Sequence, residues 1–267
     1  MANIKIKHKD EQYEYEKGTT LLDIAKDFKK DYESEIIAAL VNNRLVSLET
    51  KMTRSGNVEF LDATNPLGNR TYVRGLYFLF IKAVKDVLNC DVKIMHLVGN
   101  GVYCEILTNN LISEVTVEKI KLKMRDLVEE KLPITKITVS RLDAIDYFTK
   151  VNQPDKAESL RFISNSSISL YKLDDTLDYF YGVLPISTGF AKLYEIVKYH
   201  NGILIRYPNR SDINKLPEFE ENKKLLETLD EYEDLHQTLH VQTLYKLNRI
   251  IKRNRIKIIT IYTKLKG

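Results

Sequence analysis

Glu233, His236 and His240 fall three and four residues apart in a stretch that reads as helix, so all three share one face. That spacing can chelate a divalent ion. The face lies on a basic tail and offers no fourth ligand, so it reads as solvated helix rather than a closed metal site. Cys90 and Cys104 make neither a disulfide framework nor a four-ligand zinc site, and read as reduced, half-buried thiols. The remaining histidines are His8, His96 and His200, and no serine or cysteine joins any of the five in a nucleophile motif. The glycines of "GNGVY", residues 99–103, lead into a strand rather than a helix, which makes a turn and a poor phosphate cradle. Tyr171, Tyr179, Tyr181, Tyr194, Tyr199 and Tyr207 mingle with Lys172, Lys192, Lys198 and Arg206. Such mixing can stack on and neutralise RNA, yet tyrosine is also a favoured strand residue. A last pair is Arg74 and Phe78, four apart in "RTYVRGLYFLFIKAVKDVL", residues 70–88, where an arginine sits one turn below a phenylalanine on an apolar helix.

The elements that must position these residues follow from periodicity. "IKIKH" alternates apolar and charged residues as a half-buried strand does, and "EQYEYEKG" supplies a second. "GTTLLDIAKDFKK" opens a helix capped by Thr19 or Thr20. "EIIAALVNNRLVSL" is strand, Asn-Asn turn, strand, and "GNVEFLD" closes the set. The order ββαβββ within about 60 residues suggests a small β-grasp sheet crossed by one helix. "TNPLGNR" reads as a boundary with an exposed linker around Pro66 and Gly68. After the long helix come the strand "GVYCEIL", the amphipathic helix "TVEKIKLKMRDLVEEKL" and the strand–helix pair "KITVSRLDAIDYFTK", with Ser140 as cap. "SISLYKL", "LDYFYGVLP", "FAKLYEIVKY" and "GILIRYP" read as strands, and the chain beyond Pro217 as charged helix. The expected fold is α+β, with domains over 1–64 and 69–208 and a helical basic extension over 218–267.

Net charge divides the chain. Of the 41 Lys/Arg and 37 Asp/Glu, eight basic and no acidic residues lie in 235–267, leaving the first 234 residues at −4. Nucleic-acid contact is therefore expected mainly from Arg249, Lys252, Arg253 and Arg255. No apolar run reaches membrane-spanning length and the N-terminus lacks a signal-peptide core, so a cytoplasmic protein without a membrane partner is expected.

"GTTLLDIAKDF", "AALVNNRLVSL" and "GNVEFLD" resemble the TGS domain, the β-grasp module at the N-terminus of threonyl-tRNA synthetases and some GTPases. "MRDLVEEKLPITKITVSRLDAIDYF" and "DYFYGVLPISTGFAKLYEI" resemble the second additional domain that follows it, an editing-type α+β domain. In editing relatives a His-x-x-x-His pair and a Cys-x-x-x-His pair hold the metal centre. The matching positions here are Arg74 and Phe78, and Phe180 and Leu184. None of these four is a metal ligand of that kind, so the resemblance implies a cleft without its metal.

The same order of domains, followed by a P-loop kinase, resembles bacterial uridine kinase/phosphoribulokinase-like proteins. That resemblance implies a non-catalytic regulatory region binding RNA or a nucleotide, with ATP and magnesium belonging only to a kinase domain not in this sequence. The alternative is an aminoacyl-tRNA editing or tRNA-binding fragment of a threonyl-tRNA synthetase relative. A homo-oligomer is compatible with either. In the cleft, Phe78, Phe180 and Leu184 are expected to fill the space of the metal. Arg74 is expected either to pair with Asp178 or Glu105 or to meet a ligand phosphate or carboxylate at the cleft mouth.

Overall fold

The computed structural model describes residues 3–220 and, beyond them, the isolated positions Thr238, Lys246 and Leu247. Glu233, His236, His240, Arg249, Lys252, Arg253 and Arg255 lie outside the described residues, as does the expected helical extension apart from 218–220, which form no regular element, and the three isolated positions just named, which are helical.

The first residues fold as the alternation dictates. β1 (Asn3–His8) and β2 (Glu11–Glu16) form a hairpin through Lys9 and Asp10, both at positive φ. Two left-handed residues match the right-handed twist of the paired strands. α1 (Leu21–Phe28) starts at Thr20, whose hydroxyl accepts the Asp23 amide hydrogen at 3.1 Å. β3 (Ala38–Val41) and β4 (Arg44–Val46) turn through Asn42 and Asn43, again both left-handed. β5 (Gly56–Leu61) completes a mixed sheet of order β2-β1-β5-β3-β4, in which only β1 and β5 run parallel. Ile4, Ile6, Leu21, Ile24, Phe28 and Phe60 are among the side chains of its core.

α2 (Pro66–Leu88) begins four residues before the expected helix. The stretch read as an exposed linker is its first turn. The Asn65 side chain accepts the Leu67 amide hydrogen at 2.9 Å and Pro66 occupies the first turn, where its missing N–H costs nothing. Gly68 is buried because a Cβ there would stand 1.8 Å from the Asp62 carbonyl oxygen.

α2 and α3 (Glu114–Glu130) pack on each other beside a four-stranded antiparallel sheet of order β11-β12-β7-β6, made of β6 (Asp91–Val98), β7 (Gly101–Leu107), β11 (Glu195–Tyr199) and β12 (Gly202–Arg206). Leu76, Phe78, Phe80, Ile120, Met124 and Ile203 are fully buried in the core between them. β6 has no counterpart in the sequence reading. Its register with β7 shifts between Ile94 and Leu97, so its apolar residues break the period of two.

β8 (Ile134–Ser140), β9 (Ser167–Leu173) and β10 (Thr176–Asp178) form a third sheet, of order β10-β9-β8. The expected strand "LDYFYGVLP" ends at Asp178, and the chain from Tyr179 runs without regular structure through Gly182, whose φ is +98°.

The chain divides into two compact units, one containing residues 3–136 and 171–220 and the other residues 137–170. In the second, α4 (Arg141–Lys150) is capped by Ser140, whose hydroxyl accepts the Asp143 amide hydrogen at 3.1 Å. α4 packs on α5 (Pro154–Leu160), a short helix that the sequence reading missed.

Candidate functional site

α2 places Arg74 and Phe78 on one face, and the segment after β10 meets them. The Phe78 ring is fully buried and stands 5.3 Å from Phe180, centroid to centroid, at 55°. Phe180 in turn lies 6.4 Å from the Tyr171 ring, edge on. Leu184, 1% exposed, belongs to the same core. The structure thus joins Phe78 to Phe180, with Leu184 in the same core and Arg74 beside Gly182 of the same segment. Three are apolar, and each buried side chain contributes roughly 1.5–3 kcal/mol to folding. Neither ring carbon nor methyl can ligate a metal. Among the described residues no group of three His, Cys, Asp or Glu side chains is arranged to hold one.

Arg74 is half-buried, and of the two outcomes expected for it the ion pair with Asp178 or Glu105 is not formed. No hydrogen bond or salt bridge joins it to Asp178 or Glu105. The reason is local for both. The Asp178 carboxylate caps the irregular segment that follows it by accepting the Tyr179 amide hydrogen at 2.6 Å. Glu105 sits opposite Lys93 across the β6–β7 ladder and pairs with it at 3.9 Å. The Arg74 Nη1 is buried without a partner. Gly182 presses on the guanidinium, since a Cβ there would come within 2.9 Å of Cζ and Nη1. The Gly182 carbonyl is fixed by the Tyr171 hydroxyl, which donates to it at 2.7 Å. Burial, and then the like charge of Arg70 one turn away, hold the Arg74 pKa below the ordinary guanidinium value. Arg70 is exposed and makes no ion pair among the described residues, a second unpaired cation that the sequence reading passed over. Its spacing of four from Arg74 was the available signal.

Other expected contributors are placed differently. Of the six tyrosines read as a stacking surface, only Tyr181 is exposed, at 74%. Tyr171 is core, and burial pushes the hydroxyl of Tyr194 up to about 12. Gly99 and Asn100 form the turn into β7, and the Asn100 side chain donates to the Glu218 carbonyl, so this glycine cluster packs on chain rather than cradling phosphate. Cys104 is buried, its thiol pushed up to about 12 by burial, and Cys90 is half-buried; both are free.

Residues 5–62 match the family model of the TGS domain. Over 186 residues, 68% of this chain, the protein is 32% identical to the threonine–tRNA ligase of Syntrophotalea carbinolica, covering 29% of that relative. The threonine–tRNA ligase of Aquifex aeolicus is 26% identical over 252 residues, 90% of this chain and 38% of the relative. Threonine–tRNA ligase 1 of Bacillus subtilis is 27% identical over 187 residues, 69% of this chain and 29% of the relative. The chain therefore spans about a third of the length of these curated relatives. The uridine kinase-like expectation gains no support from them. The protein carries a TGS domain and is similar to the N-terminal region of threonyl-tRNA synthetase.

Proposed function

We propose that the chain is a tRNA-binding region of a threonyl-tRNA synthetase relative, built on an editing-type domain whose cleft holds RNA without hydrolysing it. The observation that carries this reading is the unpaired Arg74, with Arg70 one turn away, beside an interior closed by Phe78, Phe180 and Leu184. With no carboxylate, the N–H groups of this half-buried guanidinium other than the enclosed Nη1 are left for an outside anion, and an RNA phosphate offers matching oxygens. With phenylalanine and leucine in the ligand positions, hydrolysis by a metal-bound water has no donor set to rest on. The similarity to threonine–tRNA ligases supports tRNA as the nucleic acid. The division into domains over 1–64 and 69–208 with a basic extension over 218–267, and a cytoplasmic location, belong to the same reading.

Binding of the full chain to threonine-accepting tRNA, followed by fluorescence anisotropy, tests it. The expected result is a complex that weakens with salt and loses about tenfold in affinity on Arg74→Ala, with seryl-tRNA left intact and no stoichiometric zinc. Unchanged affinity in the Arg70→Ala/Arg74→Ala variant sinks the cleft as the RNA site. Metal-dependent deacylation sinks the loss of hydrolysis.

A further inference from the structure

The TGS domain carries a cleft of about 590 Å³ at one end of its sheet, walled by His8, Tyr32 and Phe60 and rimmed by five carboxylates against two lysines. We propose that this cleft is a binding site for a small organic polyammonium ligand. The site is separate from the RNA cleft and does not depend on it.

Three features ask for the same chemistry. The first is His8. It is 2% exposed, and its Nδ1 lies 2.9 Å from the Val58 carbonyl oxygen. A carbonyl only accepts, so Nδ1 carries a proton, and in the tautomer whose one proton is there Nε2 presents a lone pair. That Nε2 is buried and has no partner. A buried acceptor left empty is costly, and what it lacks is an N–H or O–H donor.

The second is the rim. Asp10 is paired with Lys7 at 2.8 Å and Asp31 with Lys9 at 3.4 Å, while the Asp62 carboxylate is consumed by the Ser34 and Thr64 amides and the Thr64 hydroxyl. Glu33 and Glu59 are exposed and make no ion pair among the described residues. They leave an uncompensated negative charge at the opening. The field reaches inward: burial first, then Glu59, Asp31 and Asp62, push the Tyr32 hydroxyl up to about 12.

The third is the aromatic wall. The His8 ring stands 4.4 Å from Phe28, 5.5 Å from Phe60 and 6.4 Å from Tyr32. The Tyr32 face already accepts an ammonium, since Lys9 Nζ lies 5.2 Å from its centroid. Aromatic faces attract organic cations. An unpartnered acceptor on a lining residue, carboxylates on the rim and ring faces beside them fit a chain of ammonium groups joined by methylenes. They reject phosphate, so the RNA cannot be the occupant.

Spermidine is the probe. Calorimetry on the full chain should show one site. At saturation the 15N resonance of His8 Nε2 should move, as an acceptor nitrogen does on gaining a hydrogen bond. Glu33→Gln/Glu59→Gln, which alters only exposed groups, should weaken binding at least fivefold, and His8→Phe should weaken it at least as much. If His8→Phe fails to fold, the carboxylate variant and the Nε2 resonance decide alone. The proposal is overturned if the carboxylate variant binds spermidine as tightly as the parent. It is equally overturned if Nε2 stays still at saturation, or if magnesium at equal ionic strength displaces spermidine completely, which marks diffuse counterion binding.

Discussion

Gly182 adopts φ +98°, and a methyl group there would meet the Arg74 guanidinium at 2.9 Å. Gly182→Ala should therefore strain the backbone by about 1–2 kcal/mol and push Arg74 off its seat. Urea denaturation should show the first effect and weaker tRNA binding the second; an unchanged affinity would separate Arg74 from RNA. Lys82 illustrates the opposite treatment of a cation. Its side chain is 3% exposed and bridges Asp86 at 2.8 Å, Asp174 at 3.1 Å and Asp175 at 2.7 Å, tying α2 to the β9–β10 turn. Burial pulls its pKa down, but the three carboxylates outweigh burial and hold it above the ordinary lysine value. The Lys82 hydrogen bond holds the Asp175 carboxyl below its ordinary value. A depressed carboxyl contributes stability above its unfolded pKa and loses it as pH falls through the folded one. Lys82→Met should thus flatten the acid limb of the stability profile. Its cost at neutral pH should be nearer 1–2 than 3–5 kcal/mol, because Asp174 and Asp175 are exposed enough to rehydrate. Denaturation midpoints from pH 2 to 7 check both. The resemblance singled out Phe78, Phe180 and Leu184 as residue types with no ligand role, and the structure places Phe78 and Leu184 in the core with Phe180 packed against it. It could not show that the expected acids of Arg74 were engaged elsewhere, because Lys93 and the Tyr179 amide become neighbours only in the fold.

At the scale of elements, strong alternation and paired turn residues made the β-grasp order readable: the hairpin turns at Lys9–Asp10 and Asn42–Asn43 fall where the strands end. Proline and glycine misled at the next junction. In "TNPLGNR" they signal a loop only if Pro66 cannot be a helix residue, and at the first turn it can. Gly68 serves close packing on Asp62 instead of chain freedom. Asn65 is the residue that decides the matter, since its side chain holds the Leu67 amide. Asn65→Ala should cost about 1 kcal/mol, lowering the melting temperature by about 2–4 °C. Differential scanning calorimetry tests this, and no change would mean the helix start is fixed by Gly68 packing alone.

At the scale of the molecule, charge is distributed against any uniform RNA surface. Residues 1–234 carry a balance of −4 and the eight basic residues of 235–267 reverse it. Each phosphate contact releases counterions and adds roughly 0.7–0.9 to the slope of log affinity against log salt. Arg70 and Arg74 can account for a slope of at most about 2 by this measure, and Arg249, Lys252, Arg253 and Arg255 for about 3–4. Replacing the four tail residues with glutamine should therefore flatten the salt dependence more than Arg70→Ala/Arg74→Ala does. The cleft variant should still cost affinity at high salt, where a half-buried guanidinium is screened least. Anisotropy titrations between 50 and 300 mM salt distinguish the two contributions. If the tail variant keeps the parent slope, the tail is not in the complex, and the RNA lies wholly on the residues that precede it.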